Sequence, residues 1–205
     1  MFESLLKCIE RKKEIDETVQ QLRNNYGAPL DSFSKLEALS QEYNTRIYFS
    51  PLPFTPFKFR SKEGGNDVAL PLVTPIVNNY NLAHELGHII LDTNNEAEAI
   101  YFSAALIAKK SIAFSLFTDH LVSGFTCMRF LHSFFKIYPS LEEREKKVSL
   151  ELDSLCESGA PAEVLLSIFM ELKEDKIISP NFSGATKAYS KIMSALHDFK
   201  SNSYK

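Results

Sequence analysis

The sequence predicts a mostly helical α+β fold, with a small antiparallel sheet beside one histidine-bearing helix and a helical extension towards the C-terminus. Three observations carry that expectation. Apolar residues recur every three or four positions through most of the chain, the spacing of helices with one buried face. One stretch, residues 46–70, instead alternates apolar and polar side chains between Pro and Gly breaks, as short strands do. The composition is that of one packed unit: 205 residues, 44% hydrophobic, with a formal net charge of −3.

Residues 2–25 carry Leu5, Leu6, Ile9, Ile15, Val19 and Leu22 at helical spacing, and the pattern breaks at Tyr26-Gly27-Ala28-Pro29. The mixed-sign run Glu10-Arg11-Lys12-Lys13-Glu14 reads as the solvated face of that helix. A second helix starts near Ser32, with Asp31 or Ser32 as cap and Leu36 and Leu39 inward, and ends by Asn44. Residues 46–49 read as a strand stopped by Pro51 and Pro53. Residues 57–60 alternate Phe with Lys and Arg, residues 62–67 form a turn, and residues 68–70 return as the second arm of a hairpin. Pro71 and Pro75 cut the chain next, so the histidine-bearing helix is expected to start near Asn78 or Asn79, with Tyr80 in its first turn. A polar turn at residues 92–95 leads into another helix capped by Asn94 or Asn95. Two helices with a turn at Ser123-Gly124 cover residues 114–131, and further helices are expected at 141–156, 162–175 and 185–200. Residues 1–108 thus form a core and residues 109–205 a helical extension packed on it as one unit.

Composition also excludes several roles. The net charge of −3 and the lack of a basic stripe argue against direct nucleic-acid binding. No apolar run approaches the ~20 residues needed to span a bilayer, and Met1-Phe2-Glu3-Ser4 is no secretory signal, so no membrane role and a cytoplasmic location are expected. Cys8, Cys127 and Cys156 are odd in number and widely spaced, as reduced cysteines serving as small hydrophobes would be.

The chemistry concentrates in His84-Glu85-Leu86-Gly87-His88. Residues at i and i+4 share a helix face, so both imidazoles can reach one ion while Glu85 points beside it at a bound water. Those residue types suit metal-assisted hydrolysis: one Zn2+ lowers the pKa of its water toward neutrality, and Glu85 takes the proton as that water attacks a carbonyl. An amphipathic helix with merely hydrogen-bonded histidines would show the same pentapeptide. Gly87 favours the site, because glycine inside a helix costs about 1 kcal/mol relative to alanine and implies a close approach there. A catalytic zinc has three protein ligands, so a third is needed. Glu96 and Glu98 both fall in the first turn of the next helix, where acidic side chains also complement the helix dipole. Glu98, Phe102 and Leu106 share one stripe, and Glu96, Ile100 and Ser103 a neighbouring one, which leaves both carboxylates open.

Residues 82–91, Leu-Ala-His-Glu-Leu-Gly-His-Ile-Ile-Leu, and residues 96–106, Glu-Ala-Glu-Ala-Ile-Tyr-Phe-Ser-Ala-Ala-Leu, resemble the paired signatures of the ImmA/IrrE-like zinc metallopeptidases, which are of gluzincin type. Residues 36–49 resemble that family's opening helix and first strand, so the likeness runs from about Leu30 to Ala108. It implies His84, His88 and Glu96 as metal ligands, Glu85 as general base, and Glu98 at a variable Glu/Gln position. By the same likeness the substrate is a protein, namely a DNA-binding transcriptional repressor cut at a peptide bond. Three features depart from the family pattern. The link from His88 to Glu96 is short, Lys109 stands where a proline is common, and Ile100 stands where Asn or Asp is common. Isoleucine cannot orient a metal-binding histidine, so a backbone carbonyl or Glu98 would have to do so. If nothing does, the fold serves as a catalytically degenerate protein-binding module of a mobile element or toxin-antitoxin pair. Residues 114–131 loosely resemble the helix-turn-helix-like piece that follows the peptidase core, but they lack the Arg, Lys, Asn and Gln needed to read bases, and their Phe and Leu stripe reads as core. An oxyanion-stabilising group is also required, for which Tyr80, Tyr101, His120 and His132 are candidates by residue type.

Overall fold

Helical periodicity gives α1 (Phe2–Tyr26) and α2 (Phe33–Glu42), and the computed structural model describes residues 2–27, 30–61, 64–72, 75–108, 125–184 and 187–202. On α1 the buried apolar positions are Cys8, Ile15, Val19 and Leu22, with Arg23 buried beside them, while Leu6 and Ile9 are exposed. Leu6 lies about two and a half helical turns from Ile15 and therefore on the opposite face, so Cys8 takes the inward place expected of Leu6 and Ile9. Arg11 likewise leaves the solvated face expected for its charge run and reaches Glu98.

Three strands follow: β1 (Thr45–Ser50), β2 (Phe57–Arg60) and β3 (Asn66–Pro71), in the order β1-β3-β2. The hairpin is antiparallel as expected, with Phe57 opposite Ala69 and Lys58 opposite Val68. β1 joins β3 parallel, with Ile47 beside Val68 and Phe49 beside Leu70, so the sheet is mixed rather than antiparallel throughout. The physical reason is that β1 pairs with the second arm of the hairpin, which runs opposite to the first.

The sheet's two faces are apolar for different partners. Ile47, Phe49, Val68 and Leu70 join a core with α1, α2, α3 (Pro75–Ile90) and α4 (Glu96–Ala108). Tyr48, Phe57, Phe59 and Ala69 join a second core with α5 (Phe125–Ile137), α6 (Leu141–Glu157), α7 (Ala162–Glu174) and α8 (Lys187–Asn202). The period-2 alternation of a strand puts successive side chains into opposite layers, so a sheet covered on both sides needs apolar residues at both parities. Leu52 and Phe54, in the connection between β1 and β2, are also buried in the second core.

α3 begins at Pro75, about a turn earlier than expected. Proline belongs in the first turn of a helix, where its missing N–H has no partner to lose, so Pro75 opens the helix rather than blocking it. Asn95 caps α4: its side-chain oxygen accepts from the Ala97 amide at 3.1 Å and its carbonyl accepts from Glu98 at 3.1 Å. α6 opens with a reciprocal cap between Ser140 and Glu143. The expected turn at Ser123-Gly124 lies outside the described residues, and so does Lys109. No described helix is long and apolar enough to cross a membrane.

Candidate metal centre

The 3.6-residue pitch of α3 brings His84 and His88 onto one face, their ring centroids 4.9 Å apart and nearly perpendicular, with 3.2 Å between the two Nε2 atoms. Leu91 bonds Gly87, and Asp92 takes a left-handed backbone (φ 45°) that stops the helix, after which the Thr93 amide returns to the His88 carbonyl at 3.0 Å. This tight reversal is why a short link suffices. It brings the first residue of α4 back over the histidines, with Glu96 Oε2 3.2 Å from His84 Nε2 and Oε1 3.4 Å from His88 Nε2. Gly87 is the point of closest helix approach. A Cβ there would meet Phe102 Cδ1 at 3.0 Å and the Ala99 carbonyl at 3.2 Å, so a side chain would push α4, and Glu96 with it, off the site.

His84, His88 and Glu96 each offer a donor atom, and the three lie within 4.8 Å of one another. Tetrahedral coordination at about 2.0–2.2 Å places donors about 3.3–3.5 Å apart. The two Nε2 atoms, 3.2 Å apart, match such an edge, and Glu96 meets His84 through Oε2 and His88 through Oε1, so two imidazoles and a carboxylate fit zinc in donor type and lie close enough to share one ion.

Glu98 does not join this group. Its carboxylate is 3% exposed and accepts from Arg11 Nη1 on α1 at 2.6 Å and from Asn95 Nδ2 at 2.9 Å. Of the two stripes left open by periodicity, one faces the histidines and the other faces α1. Nor does Glu98 orient a histidine. That part falls to the Thr93 carbonyl, which lies 3.0 Å from His88 Nδ1. Since a carbonyl only accepts, Nδ1 carries the hydrogen and Nε2 presents its lone pair to the site. Ile100 is buried, and for His88 the polar partner comes from the backbone instead.

Glu85 is 4% exposed beside the pair. Burial pushes its carboxyl above the usual range, opposed by His84, His88 and Lys58 and reinforced by Glu96. The Glu96 carboxyl moves the other way, held well below the usual range by its hydrogen bonds to the two histidines.

These groups line a cleft of about 460 Å³ between α3 and the β2 side of the sheet, whose walls include Thr55, Phe57, Lys58, Tyr80 and Asn81. A neighbouring cleft of about 650 Å³ shares Lys58, His88 and Asn94 with it. The rim is tied to the second core, since the Thr55 amide donates to Glu171 Oε1 on α7 at 3.1 Å. Of the expected oxyanion candidates, Tyr80 lines the cleft one turn before His84. Tyr101 is buried with its hydroxyl donating to Asp16 at 2.6 Å, His132 is exposed on α5, and neither lines the cleft, while His120 lies outside the described residues. Sequence reasoning missed Lys58, Asn81 and Asn94. A usable signal existed only for Lys58, because the Phe-Lys-Phe-Arg alternation puts cations on one face of β2. Comparison of the chain with protein-family models, with characterised proteins and with solved structures found no match.

Proposed function

We propose that this protein is a zinc-dependent metallopeptidase that cleaves a peptide bond in a protein substrate. The observation that carries the reading is the cluster of His84, His88 and Glu96, with donor atoms within 4.8 Å of one another, and a buried glutamate beside it in the cleft. His84, His88 and Glu96 would hold the ion. When bound, it supplies Lewis acidity, lowering the pKa of water toward neutrality and polarising a carbonyl. Glu85 takes a proton from the attacking water on a carboxylate oxygen and passes it to the departing amine nitrogen. Burial raises the Glu85 carboxyl above the usual carboxylate range while Glu96 is held below it, which makes Glu85 the stronger base of the two. Among the described residues β2 is an edge strand, and its Phe57 and Lys58 line the cleft, so an extended substrate can add to it by main-chain hydrogen bonds.

The proposed substrate class, a DNA-binding repressor in the cytoplasm, follows from the resemblance in residues 82–106. The test joins metal content with a trap. Wild-type protein should carry one zinc per chain, and Glu85→Gln should keep zinc while capturing an uncut protein that wild type cleaves. Protein that binds no zinc yet retains a partner would replace this reading with the degenerate binding module.

A further inference from the structure

Lys58 faces the site because of the strand that carries it. Phe57 and Phe59 pack into the second core, and the pleat therefore turns Lys58 to the other face, opposite Val68 and toward the end of α3. Its ammonium lies 3.4 Å from the His88 carbonyl and 3.4 Å from the Thr93 carbonyl. The first of these is among the last carbonyls of α3, where a cation complements the helix dipole. The second is the carbonyl that accepts from His88 Nδ1. A carbonyl has two lone pairs, so Thr93 can serve the imidazole and the ammonium together.

We propose that Lys58 is a positioning residue for the metal centre: it clamps the α3–α4 reversal to the sheet and so sets the orientation of His88 and the approach of Glu96. The inference rests on the metal reading above. It goes beyond that reading by assigning part of the metal affinity to a cation that touches no ligand atom. Charge alone would act in the opposite sense, since a lysine near a dication repels it. Here the ion's two positive charges meet the carboxylates of Glu85 and Glu96, so Lys58 faces a cluster of formal charge near zero. Repulsion is then small, and loss of the clamp dominates.

The experiment is zinc affinity by chelator competition, with the visible spectrum of the cobalt(II)-loaded protein as a second readout, on the full chain. Lys58→Met keeps the apolar stem and removes both donors. It should weaken zinc binding about ten- to hundredfold, the scale for losing a partner that orients a metal-binding histidine, and shift the cobalt bands. Lys58→Arg should restore most of the affinity, because its fork can donate to both carbonyls. Lys58→Gln, which keeps a neutral NH₂ donor but loses the charge and some reach, should fall between them and supplies the same test if Lys58→Met does not fold. Zinc affinity within about twofold of wild type, or tighter, in folded Lys58→Met or Lys58→Gln overturns the clamp. Wild type that binds no zinc overturns the metal reading itself, and the two failures are separate measurements.

Discussion

The two helical layers that sandwich the sheet differ in what they bury. Among the described residues, every buried polar or charged side chain, from Arg23 to Ser103, belongs to the α1–α4 layer or to the sheet, and none belongs to α5–α8. In the second layer the described buried positions, such as Val148, Leu165, Ile168, Leu172 and Ile192, are apolar. Burying Glu85, His88, Glu98 and Asn81 costs free energy unless each is hydrogen-bonded or paired. A fold has no stability reason to gather Asn81, Glu85 and His88 along one cleft. The contrast teaches that the buried polar groups of the candidate site come from α1–α4 and the sheet, while α5–α8 supply apolar packing that backs the sheet and, through Glu171, steadies the cleft rim.

The largest effects should cross cleanly between the layers. Leu165→Ala, in the second core, should cost about 2–5 kcal/mol in denaturant unfolding and leave zinc stoichiometry unchanged. His88→Ala should do the reverse, emptying the site while leaving apo stability nearly intact, because two remaining ligands do not hold zinc. If folded Leu165→Ala loses its metal, the two layers are one mechanical unit and the contrast fails.

A finer division lies within the first layer. Glu96→Ala should release zinc with little change in apo stability. Glu98→Ala should keep zinc and lose about 1–3 kcal/mol, since it removes the buried acceptor of Arg11 and Asn95, although Arg11 keeps its pair with Glu14. The opposite pattern, read by metal analysis and thermal unfolding together, would exchange their roles.

At the seam between the layers the expected effect is smaller. Glu171→Ala should cost about 1 kcal/mol by leaving the Thr55 amide without its acceptor. Burial holds the Glu171 carboxyl above its usual value, so the folded chain keeps that proton longer than the unfolded one. Its contribution to stability is therefore largest at low pH and declines as pH rises from the ordinary carboxylate value through the raised one. Glu171→Gln, which does not titrate there, should gain stability relative to wild type as pH rises across that window.

The smallest effect concerns Cys8. Burial, with Glu98 nearby, pushes its thiol up to about 11, and its side chain is fully buried against α4. Site-resolved mass spectrometry after iodoacetamide at pH 8 should find Cys8 unmodified in native protein and labelled in denaturant. Labelling of the native form would show that α1 opens from the site layer.

Much of the molecule follows from local spacing. The pitch of one helix puts His84 and His88 on one face whatever surrounds them, and Asn95 caps α4 by reaching amides two and three residues away. The Phe-Lys-Phe-Arg alternation assigns β2 two chemically different faces for the same local reason. Contacts between distant segments settled the rest. Whether Glu96 or Glu98 meets the histidines turned on Arg11, 87 residues earlier in the chain than Glu98, claiming the latter. The direction of β1 turned on which arm of the hairpin it joined, and the partner of His88 turned on a backbone carbonyl, a group every residue carries. Periodicity specifies which face a side chain takes on its own element. It is silent on what another element brings to that face, because that choice is made only when the elements pack.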